Sequence, residues 1–131
     1  MIEHKHIIIR AEIKDPPAKD EMEFMRNWFK DLIKAIDMKL LKAPYLHYLD
    51  KKDNRGFTGV AIIETSHVAM HIWDEDSPAL MQLDVYTCGE LDIKKVLSSM
   101  EDFSPVSYEY IFLDRKNRLE IHDTVVLKTE E

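Results

Sequence analysis

Residues 57–88 read FTGVAIIETSHVAMHIWDEDSPALMQLDVYTC. The stretch is rich in β-branched and aromatic residues, among them Val60, Ile62, Ile63, Val68, Ile72, Trp73, Leu83, Val85 and Tyr86. Such side chains suit a pleated, half-buried surface. They divide into strands near 57–64, 67–73 and 79–87, with the polar run Asp74-Glu75-Asp76-Ser77-Pro78 as the loop between the last two. The same stretch holds Ser66, His67, His71, Glu75, Asp84 and the only cysteine, Cys88. Strands hold side chains on a rigid scaffold, so chemistry placed here has fixed geometry.

Working outward, residues 4–13, HKHIIIRAEI, read as a strand. Asp15-Pro16-Pro17 ends it, because proline cannot donate to a sheet ladder. Residues 19–36 place Met25, Trp28, Phe29, Leu32, Ile33 and Ile36 at helical spacing. Asp20, Glu21 and Glu23 fall in the first turns, where acidic groups complement the helix dipole. Residues 39–49 form another strand, and Pro44 within it implies an edge or a bulge. Beyond the central stretch, Ile93, Val96, Leu97 and Met100 mark a short helix near 92–100. Residues 106–113 and 119–127 flank the turn Asp114-Arg115-Lys116-Asn117-Arg118 as a hairpin. The closing residues 128–131 are expected to fray. This order predicts an α+β fold, a two-layer sandwich with a mostly antiparallel sheet and its helices on one face. No segment is large enough to bury a core of its own, so residues 1–131 are read as a single domain.

Composition narrows the partners. With 18 Lys and Arg against 25 Asp and Glu, the formal charge is −7. That disfavours a nucleic-acid binder, which needs clustered basic residues. No apolar run approaches the ~18 residues of a membrane span, and the N-terminal MIEHKH lacks a secretory pattern. A lone cysteine excludes an internal disulfide and fits a reducing cytoplasm. A cytoplasmic protein without nucleic-acid or membrane partners is therefore expected.

Residue by residue, the centre supports several readings. His67 and His71, four apart on a strand, share a face and could reach one ligand. A metal would need a third donor, such as Asp84 or Cys88, and the spacings match no established zinc pattern. No metal is expected. A Ser66–His71–Asp84 triad lacks the glycine-flanked nucleophile turn. Cys88 reads either as a small buried hydrophobe or as an acid or nucleophile at a strand end.

Taken together, the residues say more. Gly59 to Glu75, followed by Asp84-Val85-Tyr86-Thr87-Cys88-Gly89, resembles the prokaryotic, short-chain S-adenosylmethionine decarboxylases. Their pattern is G-V-V-V-I-S-E-S-H-L-x-x-H-T-W-P-E, then D-x-[FY]-T-C-G. A weaker match extends to the strand around His6 and to the first helix. The resemblance implies a proenzyme that cuts itself before the motif serine, here between Thr65 and Ser66. That serine becomes a pyruvoyl group, the electron sink for loss of CO₂. Ser66 is then the pyruvoyl precursor, His71 assists processing, and Cys88 donates a proton in catalysis. Thr58 keeps the hydroxyl of a family serine beside the glycine, and Glu75 is a carboxylate suited to a cationic sulfonium substrate. The implied function is decarboxylation of S-adenosylmethionine for spermidine synthesis, by a homodimer. Departures sit around the processing bond. Thr65 stands where the family has Glu, with Glu64 one position earlier, Asp74 replaces the proline after Trp73, and the link to Asp84 is about two residues longer. They motivate two alternatives: an unprocessed relative acting as a ligand-binding or regulatory subunit, or a decarboxylase of another amino acid.

Overall fold

A computed structural model describes residues 3–64 and 66–128. Thr65, expected at the processing bond, lies outside the described residues, as do residues 129–131 of the stretch expected to fray. The elements are β1 (Lys5–Ile13), α1 (Met22–Ala35), β2 (Leu40–Leu49), β3 (Gly56–Ile63), β4 (Ser66–Trp73), β5 (Ala79–Thr87), α2 (Ile93–Ser99), a 3₁₀ turn (Met100–Phe103), β6 (Pro105–Asp114) and β7 (Glu120–Lys128). The strands form one seven-stranded sheet in the order β2-β3-β4-β5-β1-β6-β7, and every neighbouring pair is antiparallel. The α+β arrangement, with an antiparallel sheet, is the one the sequence implies.

Local chemistry sets the element ends. β2 lies at a sheet edge, and its register slips between Leu40 and Lys42 and again between Lys42 and Tyr45. Pro44 thus sits both on an edge and beside a bulge, where its missing N–H is harmless. α1 begins at Met22, later than the spacing predicts. Glu21 is its cap residue and its Oε1 accepts a bond from the Ala18 N–H at 2.7 Å. Of the three acids expected in the first turns, only Glu23 lies in the first turn of α1.

Strand alternation gives the sheet two unlike faces. One face carries Ile7, Ile9, Phe57, Ala61, Ile63, Val68, Met70, Met81, Leu83 and Val85, all buried. Met25, Trp28, Phe29, Leu32 and Ile33 of α1 complete this core, together with Val96 of α2. The Trp28 indole N–H donates to the Ser99 carbonyl at 2.7 Å, tying the two helices together. Gly59 admits Phe29: a Cβ there would lie 3.1 Å from the Phe29 ring and 2.4 Å from Leu46.

Among the described residues, no helix lies over the other face. Paired residues share a face, so the register defines cross-sheet rows. Leu113, His6, Tyr86, His67 and Ile62 make one row across β6, β1, β5, β4 and β3. Ile111, Ile8, Asp84, Ala69 and Val60 make the next, and Glu109, Arg10, Gln82, His71 and Thr58 the third. Ile8, Val60, Ile62 and Ile111 are exposed on this face. Among the described residues, no helix is long and apolar enough to cross a membrane.

Candidate active site

Ile63 closes β3 and faces Ser66, the first residue of β4. Only two residues therefore connect the strands, Glu64 and the residue at 65. Ser66 is buried, and among the described residues its Oγ has no hydrogen-bond partner. Leaving a buried hydroxyl unpaired costs about 1–3 kcal/mol. Across the sheet, Cys88 follows the end of β5, and its Sγ–H donates to the Glu64 carbonyl at 3.5 Å. The Thr87 hydroxyl donates to the Gly89 carbonyl at 3.0 Å and fixes the chain around the cysteine. Ser66 and Cys88 thus stand at the same two-residue connection. A cavity of about 490 Å³ reaches Ser66, lined also by Leu41, Ile62, Ile63, His67, Tyr86 and Arg115.

A polar cluster borders this cavity on the uncovered face. Asp84 hydrogen-bonds His6 Nε2 and lies 3.5 Å from His67 Nε2. Burial alone would raise the Asp84 carboxyl, but the bond and charge of His6, and then those of His67, outweigh it and hold Asp84 below its ordinary value. Tyr86 sits between them. Its hydroxyl bonds His4 Nδ1 at 2.7 Å, and the Arg115 guanidinium lies 4.2 Å from its ring centre. Sequence reasoning missed His4 and Arg115. His4 could have been found, since it is two residues from His6 and so on the same face. Arg115 reaches the cluster from the β6–β7 turn, which no local spacing reveals.

The remaining expected residues form a second group. Thr58 Oγ1 and His71 Nδ1 hydrogen-bond each other, in a row two removed from His67. His71 is five residues beyond Ser66 on the same strand, so the two lie about 16 Å apart and on opposite faces. Glu75 lies farther still, beyond the end of β4, where its Oε1 accepts the Arg55 N–H at 3.2 Å. It lines a different cavity with Trp73, Arg10 and Glu12. Within one chain, then, Ser66 and Cys88 come together, Thr58 and His71 come together, and the two groups stay apart. The triad of Ser66, His71 and Asp84 does not form. A shared ligand for His67 and His71 is also ruled out, because four residues of strand separate them by about 13 Å. Asp74, in the place of the family's proline, is held by Arg55 Nε at 2.6 Å and by the Tyr48 hydroxyl at 2.8 Å.

Comparison with known proteins places this geometry. The sequence profile of the S-adenosylmethionine decarboxylase family matches residues 5–116. A protein of Archaeoglobus fulgidus named S-adenosylmethionine decarboxylase proenzyme is 31% identical over 121 residues, spanning 88% of this chain and 99% of its own. A Pyrococcus abyssi protein of the same name is 36% identical over 85 residues, spanning 65% of this chain and 57% of its own. The crystal structure of the adenosylmethionine decarboxylase from Aquifex aeolicus superposes with a TM-score of 0.69 at 20% identity, covering 87% of this chain and 91% of that one. That likeness concerns the fold. The profile match and the full-length archaeal relative establish the lineage: the chain belongs to the S-adenosylmethionine decarboxylase family.

Proposed function

We propose that the chain is a proenzyme that cuts itself between Thr65 and Ser66 and then decarboxylates S-adenosylmethionine. The observation that carries this reading is the buried, unpaired Ser66 Oγ at a two-residue connection between strands. An oxygen free of hydrogen bonds among the described residues, on the residue directly after the carbonyl it must attack, fits the precursor of a pyruvoyl group. Ser66 Oγ bonds to the Thr65 carbonyl carbon as the peptide C–N bond breaks and the nitrogen takes the proton, giving an ester. Loss of the Ser66 Cα proton then breaks the Cβ–Oγ bond and frees the upstream chain as a carboxylate. Hydrolysis of the remaining enamine releases ammonia and leaves the ketone. Once formed, that group supplies an electron sink for the pair left by departing CO₂. Cys88, whose thiol already faces the connection, returns a proton to the carbon that lost CO₂. A working thiol suits a reducing cytoplasm.

The reading also needs a second copy of the chain. His71 and Thr58 are too far from Ser66 to act on it within one chain, yet both lie on the uncovered face. Two such faces packed about a twofold axis can bring His71 of the partner subunit to the cavity over Ser66 and bury Ile8, Val60 and Ile62 in the same step. Glu75 of the partner subunit would then be available to the cationic substrate.

The test is an intact-mass measurement of the purified chain. Cleavage gives fragments of 65 and 66 residues from the 131. The downstream one carries a ketone end that reacts with hydroxylamine. A wild-type chain that stays whole on long incubation overturns the proposal.

A further inference from the structure

We propose that His6, His67 and Asp84 form a binding site for one divalent first-row transition-metal ion. One ring nitrogen of each histidine and one carboxylate oxygen lie within 4.8 Å of one another. The three residues come from neighbouring strands β1, β4 and β5, and the register fixes their places. His6 and His67 both stand opposite Tyr86, and Asp84 is two residues along the same strand, on the same face. None of them is borne on a loop, so the donors are gathered before any ligand arrives.

The donor set selects the ion. Two imidazoles and a carboxylate suit zinc, cobalt or nickel, whereas magnesium and calcium prefer oxygen alone. Bonds of about 2.0–2.2 Å to such an ion place neighbouring donors roughly 3–3.5 Å apart. His67 Nε2 and Asp84 Oδ1 already stand at 3.5 Å. Within one chain the His6 side chain is 12% exposed, and those of His67 and Asp84 are 39% and 38% exposed, so an ion can reach the donors before two such faces pack. Three protein donors leave a fourth position open, the pattern of zinc sites that bind water or a substrate group. His67 also lines the cavity over Ser66, so the ion would border that cavity.

Without an ion the same residues form a hydrogen-bonded chain. Arg115 Nη1 donates to His6 Nδ1 at 3.2 Å, so His6 carries its proton on Nε2 and donates it to Asp84. Metal capture moves this proton to Nδ1, turns the Nε2 lone pair to the ion and ends the Arg115 bond. Arg115 therefore opposes the metal, although it touches no ligand atom that the ion uses.

The experiment uses the full chain, free of any histidine tag and stripped with chelator, on a Ser66→Ala background so that self-cleavage plays no part. Cobalt(II) is titrated and followed by its visible absorption, with zinc binding measured by calorimetry. One ion per chain is expected. His6→Ala, His67→Asn and Asp84→Asn should each weaken binding by at least about 100-fold, the upper end of outer-shell effects. Arg115→Ala should bind more tightly than the parent. His122→Ala, on β7 beside Asp114, should bind as the parent does. Circular dichroism selects the variants that fold. Absence of stoichiometric uptake, or uptake that survives both His6→Ala and Asp84→Asn, overturns the proposal.

Discussion

In the proposed reaction Ser66 and Cys88 divide the chemistry between two times: the serine is consumed before turnover begins, and the thiol acts afterwards. Ser66→Ala should therefore remain a single intact chain, whereas Cys88→Ala should still be cut yet lose most decarboxylation. Mass spectrometry and CO₂ release separate the two outcomes. Asp84 gives a third prediction at this scale. Its carboxyl is held below the ordinary 3.8 of a free aspartate despite burial, chiefly by His6. A carboxyl lowered in the folded state adds stability above its unfolded value, and that contribution is lost as pH falls through the folded value. Wild type should exceed Asp84→Asn in urea midpoint at pH 6, and the gap should narrow below about pH 3.8. These residues differed in legibility. Ser66, His71 and Cys88 are visible because motif spacing names them. The distance between Ser66 and His71 is invisible, because linear order hides which face of a strand a side chain takes and how far five residues of strand extend.

At the scale of elements, two glycines do what no other residue can. Gly59 lets Phe29 of α1 and Leu46 of β2 lie close on β3. Gly59→Val should destabilise by about 1–3 kcal/mol, an overpacking effect, read as a lower urea midpoint with an unchanged slope. Gly56 has φ +144°, and a Cβ there would meet the Ile72 carbonyl oxygen at 1.8 Å. Gly56→Ala should therefore disturb the start of β3 where it passes β4, more than an alanine in open space would. Strands and helices were legible because apolar periodicity and prolines act locally: Pro44 announced an edge or a bulge, and both are present. The start of α1 was not, because the Glu21 side chain bonds back to Ala18 and delays the first turn by a route that apolar spacing does not record.

At the scale of the whole molecule, the proposed dimer rests on the uncovered sheet face. Exchanging Ile62 and Ile8 for charged residues should convert a dimer into a monomer in sedimentation experiments. If each site draws His71 from the other chain, co-expression of Ser66→Ala with His71→Ala should restore cutting, and only of the His71→Ala chain. Cutting of neither chain in the mixture would mean that His71 acts within its own chain and would sink the shared site. Fold class was readable from element order alone. The pairing of β1 between β5 and β6 was not, since it joins residues from 66 to 109 positions apart.

That central place of β1 has a consequence for the life of the molecule. A cut at position 65 leaves β1, β2 and β3 on one fragment and β4 to β7 on the other, with the first fragment's β1 clasped by two strands of the second. The pieces interlock, so neither can depart without dissolving the sheet. Before the cut, folding is a single-chain event with the partner strands tethered at high effective concentration; after it, reassembly becomes a second-order encounter. The cut molecule should thus refold at a rate that rises with concentration while the uncut chain does not, which makes the order of maturation one-way: fold first, then cut.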